Sequence, residues 1–200
     1  MGHCRCKTGG FAVMISWAAS TKRAATCDCG VVTDGARATK PGSTMAHPST
    51  SIVTRMEFAA TPERVWDGLM FYEQIDESPP LLLRLLLPLP IRTEGSKSAV
   101  GDEAICLYEG GHLVKRVTHI DACRHYRFEI VEQNLAVGAG LLLSGGCYAL
   151  QQLPGGRTEV AVTTRYVSSK RPRWLWKPIE AIVCHLFHRH LLSAMRRKID

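Results

Sequence analysis

WLWKPIEAIVCHLFHRHLLSAMRRKI, residues 174–199, decides the architecture of this chain. Leu175, Ile179, Ile182, Val183, Leu186, Phe187, Leu191, Ala194 and Met195 recur at intervals of three and four, the period of a helix with one apolar side. Pro172 sets the helix off, and Arg196, Arg197 and Lys198 suit the negative end of its dipole. At least five strand-like segments precede it. Strands that curl round one long helix generally enclose a hollow, so a ligand pocket is expected before any catalytic motif is considered.

The strands begin where the pattern changes at Ser51. Ile52, Thr54, Met56 and Phe58 alternate with Val53, Arg55 and Glu57, as in a half-buried strand. Thr61-Pro62-Glu63 then starts a helix, with a capping hydroxyl, a proline in the first turn and a carboxylate at the positive dipole end. Val65, Trp66, Leu69 and Met70 form its apolar side, and Phe71 to Ile75 is expected to continue as a second short helix until Pro79 and Pro80. Leu81 to Thr93 reads as a greasy loop or lid, which must cover something apolar or face a partner. Strands follow over 101–109, 112–120, 126–132, 140–153 and 158–167, divided by Gly110-Gly111, 121–124 and Pro154-Gly155-Gly156. The mid-strand pair Gly145-Gly146 predicts a bulge or bend. The expected fold class is α+β: a curved antiparallel sheet around a long C-terminal helix, with two short helices after the first strand.

With 46% hydrophobic and 22% charged residues, the chain can bury a full core. Its net charge of +7 is uneven. Residues 1–50 carry six Lys/Arg and two Asp/Glu, residues 51–169 eleven and fourteen, and residues 170–200 eight and two. The basic ends lack interleaved stacking aromatics and nucleic-acid-binding motifs, so no nucleic-acid partner is expected. Lys170, Arg171, Arg173 and Lys177 flank Trp174 and Trp176, which makes peripheral membrane contact an alternative. The longest apolar run, 79–91, is too short and too interrupted to span a bilayer.

Residues 1–50 are rich in small and basic residues without a sustained period and are expected to be a disordered extension, with the folded domain over 51–200. Met45 is a candidate start. Cys4/Cys6 and Cys27/Cys29 pair at one-residue gaps, shorter than structural zinc sites use. Cys106, Cys123, Cys147 and Cys184 are scattered through strands and helix, as expected of reduced thiols in a cytoplasmic protein.

The run Met56-Glu57-Phe58-Ala59-Ala60-Thr61-Pro62-Glu63-Arg64-Val65-Trp66-Asp67 resembles the opening strand and "A-x-P-E-x-V-W" helix start of the START-like helix-grip superfamily (SRPBCC), which includes polyketide cyclases/dehydrases. The resemblance covers about residues 50–199. It implies a small hydrophobic or amphipathic ligand, such as a lipid or polyketide-like metabolite, held between sheet and helix. It carries over no catalytic residue by position.

Alternation along the strands puts Met56 and Phe58 on one face, Tyr126, Phe128, Ile130 and Glu132 on another, and Val160, Val162, Thr164 and Tyr166 on a third. From these faces Met56, Phe58, Tyr126, Phe128, Ile130, Thr164 and Tyr166, with Trp66 and the helix positions Ile179, Val183 and Phe187, form the candidate ligand-binding set. Glu132 and Tyr166 are the candidate catalytic groups, as acid or base and as a carbonyl-orienting hydroxyl. Against this stands the plainer account in which Glu132 lies at a strand end in water and Tyr166 is core. One of His112 and His119 faces inward if their strand is regular. Cys184 and His188 have a ligand-like spacing, but no carboxylate on that helix completes a metal shell, and no metal or other cofactor is expected. Windows for a nucleophile elbow, a Walker loop and a dinucleotide fingerprint are empty. The expectation is ligand binding, with a cyclase, dehydrase or hydrolase on the same scaffold, or a membrane-surface or partner-binding protein, as alternatives.

Overall fold

The computed structural model describes residues 49–71, 83, 87–88, 90–135 and 140–199. The expectations for residues 1–48 and for a second helix over 71–75 lie outside the described residues, apart from Phe71 itself. Seven strands follow the order β1 (Thr50–Phe58), β2 (Pro90–Gly95), β3 (Glu103–Tyr108), β4 (Gly111–Asp121), β5 (His125–Asn134), β6 (Leu141–Leu153) and β7 (Arg157–Ser168). Helix α1 (Pro62–Phe71) follows β1, and α2 (Arg173–Ile199) follows β7. The sheet is antiparallel, with spatial order β1-β7-β6-β5-β4-β3-β2.

One strand went unseen in the sequence. β2 occupies the end of the stretch expected to be loop, opening on Pro90. Proline donates no ladder hydrogen bond, and here it opens an edge strand, where that loss is tolerated. Two prolines within three residues had masked the strand signal. Upstream, Leu83 is buried and Leu87 packs against a small apolar cluster of Cys106, Leu113 and Leu135. Leu83 and Leu87 thus turn away from water, whereas Ile91 on β2 is exposed.

The main core lies under α1 and the second half of α2. Phe58, Val65, Trp66, Leu69, Val117, Val160, Leu192 and Met195 are almost fully buried in it. Trp66 meets Tyr126 edge-on at 6.4 Å between ring centroids. Thr158, on the β7 side of the same layer, donates its hydroxyl to the Ala60 carbonyl at 2.7 Å and so fixes the turn from β1 into α1. Arg64 Nη2 donates to the Ile199 carbonyl at 2.6 Å and joins α1 to the end of α2.

Bulges set the curvature. Between β6 and β7 the register slips at Ser144, because Leu143 faces Tyr166 while Gly145 faces Arg165. Gly145 has φ 144°, and a Cβ there would collide with the Phe128 carbonyl oxygen. Between β4 and β5, Val114 faces Glu132 and Lys115 faces Ile130, leaving Val131 as the extra residue. A second slip on β4 leaves Thr118 unpaired with β5.

Candidate functional site

The inward face of the sheet is built from alternate residues of each strand. β1 contributes Thr54 and Met56, β7 contributes Thr164 and Tyr166, and β5 contributes Tyr126, Phe128 and Ile130. Register places Ile52 opposite Thr164 and Thr54 opposite Val162, which brings the two threonines diagonally together beneath α2.

His188 sits on this pair. It is 1% exposed, with Nδ1 2.8 Å from Thr54 Oγ1 and Nε2 2.8 Å from Thr164 Oγ1. Thr54 Oγ1 also lies 2.7 Å from His185 Nδ1, and Cys184 Sγ lies 3.6 Å from His188 Nε2. A threonine hydroxyl has one proton to give. The network closes when Thr54 donates to His185, His188 Nδ1 donates to Thr54, and Thr164 donates to His188 Nε2. Burial, aided by the neighbouring His185, pushes the His188 pKa down to about 4, so the ring is neutral at physiological pH. Burial also pushes the Cys184 thiol up to about 11, which leaves it protonated and unreactive.

A second polar cluster lies toward the start of α2. Glu180 is buried and accepts hydrogen bonds from Ser168 Oγ at 2.6 Å, from Arg173 Nη1 at 3.0 and 3.1 Å, and from the Tyr166 hydroxyl at 3.2 Å. Burial alone would raise its pKa, but the hydrogen bonds from Arg173 and Ser168 hold it below the usual carboxylate range. Burial and the Glu180 carboxylate push Tyr166 up to about 12. Its proton therefore stays on the phenol, committed to Glu180. These two clusters hold helix to sheet by hydrogen bonds where the core below them uses apolar packing.

The sequence-derived candidates divide into three groups. Phe58, Trp66 and Tyr126 belong to the closed core. Met56, Phe128, Ile130, Thr164 and Val183 are half-buried, with Met56 and Phe128 packed at the margin of that core and Ile130 against the cluster under Leu87. Ile179 is exposed with Leu175, Ile182 and Leu186 on the outer side of α2, and Phe187 is 40% exposed. The periodicity that predicts one apolar side thus describes two. Residues 191–199 bury their apolar positions, whereas Glu180 is the one residue buried before His188.

Glu132 does not share the face of Tyr126, Phe128 and Ile130. The extra residue Val131 breaks the alternation, and the Glu132 side chain is 60% exposed, 2.9 Å from His112 Nε2. An acid in water, paired with an outer-face histidine, stands on the opposite side of the sheet from the apolar inward face. His119 is exposed as well, with its ring near that of His125. Replacing Glu132 with alanine is expected to change stability by less than about 0.5 kcal/mol and to leave binding of any apolar probe unaltered. A denaturant titration and a fluorescence titration of the variant check both.

Glu180, Ser168 and Thr54 were missed as site residues. Glu180 carries one available signal, since it stands seven residues from Arg173 as the single acid of α2. Nothing local marks Thr54, because its role depends on a partner 134 residues away. Among the described residues no helix is long and apolar enough to cross a membrane, and no His/Cys/Asp/Glu group could hold a metal. Cys106, Cys123, Cys147 and Cys184 form no disulfide.

No protein-family profile and no curated sequence matches the chain. Solved structures do. The aromatase/cyclase Zhui from Streptomyces sp. R1128 superposes with a TM-score of 0.52 at 15% identity, over 74% of this chain and 92% of that one. A protein from Nitrosospira multiformis gives 0.51 at 13% identity, over 76% and 97%, and one from Thermus thermophilus gives 0.50 at 14%, over 75% and 97%. The likeness is one of fold: a curved antiparallel sheet gripping a long C-terminal helix.

Proposed function

We propose that this protein binds a small, mainly apolar ligand between the inward sheet face and the first half of α2, beneath the segment of Leu83 and Leu87. The observation that carries this is the incomplete burial of that face. Phe128, Ile130, Leu143, Thr164 and Val183 remain half-buried, although the core beside them is closed. Apolar side chains that face inward and yet keep solvent access are what a lined hollow presents. The named function of Zhui, an aromatase/cyclase, agrees with a scaffold that can enclose such a molecule.

Lys115 adds selectivity. It shares the face of Ile130 and Phe128, with its ammonium 5.3 Å from the Phe128 ring centroid. A ligand with an acidic head and an apolar body, such as a fatty acid or an aromatic acid, matches one cation on a greasy floor. Catalysis is the weaker reading, because the titratable groups beneath α2 are committed. Tyr166 holds Glu180, Glu180 holds Arg173, and both ring nitrogens of His188 are engaged by threonines.

Titration with a fluorescent fatty acid is expected to give saturable binding. Ile130→Ser should weaken it about tenfold, the effect of losing some 50 Å2 of apolar contact. Lys115→Gln should weaken binding of the acid and spare the matching alcohol. No uptake of either probe by the full chain would refute the reading.

A further inference from the structure

We infer that the outer side of α2, with the adjoining edge strand β1, is a docking surface for a bilayer carrying anionic headgroups. Leu175, Ile179, Ile182 and Leu186 are spaced by four, three and four residues and form one exposed apolar stripe. Trp174 flanks its start at 78% exposure, and Ile182 at its middle is 59% exposed. The stripe continues as charge: Arg189 and Arg196 lie seven and fourteen residues beyond Ile182, on the same side of the helix. A cleft of about 410 Å3 widens it toward the sheet, lined by Val53 on β1 and by Ile182, Leu186 and Arg189 on α2.

Charge complementarity selects the partner. Glu180 is the single acid among residues 173–199, and it is buried and neutralised by Arg173. The exposed surface of the helix therefore offers cations and apolar groups with no acidic side chain. A water-soluble protein partner usually meets a mixed-charge rim, whereas an anionic interface takes an apolar stripe edged with cations and a tryptophan. The surface lies outside the proposed ligand space and stands or falls independently of it.

The test is flotation of the full chain with phosphatidylcholine vesicles, with and without phosphatidylserine, at low and high salt. Binding is expected with phosphatidylserine at low salt and is expected to fall at high salt. Arg189→Glu with Arg196→Glu should lower the affinity at least about tenfold, since each basic residue near such a surface contributes several-fold. Ile182→Gln with Leu186→Gln should lower it too, and both double variants should melt with the parent because the altered side chains are exposed. The inference is overturned if the parent fails to float at low salt. It is overturned equally if both variants bind like the parent, which would place binding in the basic residues before Thr50. A concentration-dependent dimer abolished by Ile182→Gln would assign the face to a second copy and overturn it as well.

Discussion

Replacing His188 with alanine is expected to destabilise the fold by about 4 kcal/mol, the largest effect of any polar substitution here. The change opens a cavity beneath α2 and leaves the Thr54 and Thr164 hydroxyls without their partner in a buried layer. Chemical denaturation of parent and variant measures the difference. His188 also makes a prediction about pH. Its folded pKa of about 4 lies below the ordinary histidine value of 6.5, so between those values the unfolded chain binds the extra proton. The stabilisation is therefore complete above about pH 6.5 and is lost as pH falls toward 4, by about 3 kcal/mol in all. His188→Gln should flatten that part of the stability curve while the two proteins share the remaining acid dependence. A parent curve with no greater slope than the variant between pH 4 and 6.5 would contradict a buried neutral imidazole.

Glu180→Ala is expected to cost about 3 kcal/mol. It strands the Tyr166 hydroxyl and Ser168 Oγ, both of which donate to the carboxylate. Glu180→Gln keeps the shape and one acceptor, and roughly 1 kcal/mol is expected. The carboxylate is held below its usual pKa, so its contribution is present above the unfolded carboxylate value and lost as pH falls through the folded one. That loss lies at lower pH than the loss from His188, so the two substitutions flatten different parts of the curve. If Glu180→Ala melts with the parent, the cluster at the start of α2 contributes nothing to holding the helix.

Local patterns revealed most of the fold and little of the site. Ile52 to Phe58 alternates because one side of β1 faces α2, and Thr61-Pro62-Glu63 opens a helix by capping chemistry contained within three residues. Such signals are complete within one element. Bulges are different, since the extra residue Val131 is defined only by the register of β5 on β4. Without it, period-two counting carries Glu132 inward with Ile130. The helix itself was legible, but what lies against its first half was not, for a similar reason. Three-and-four spacing marks an apolar side but cannot say whether a sheet or solvent lies against it, and α2 changes from one to the other near His188. Thr54, Thr164 and His188 meet only after β1 has paired with β7, so no window of sequence contains them together.

That pairing also governs how the protein is made. β1 sits at the margin of the sheet beside β7, with Phe58 opposite Thr158, and the main core is roofed by residues 191–199. A ribosome therefore releases β1 roughly a hundred residues before its neighbour exists, and the roof later still. Throughout that interval β1 has no strand to pair with, and the sheet exposes the inner surface that residues 191–199 will cover. Closure comes in one late, long-range event, so slowing translation helps this chain little, whereas a chaperone that shields half-built sheets should raise its yield.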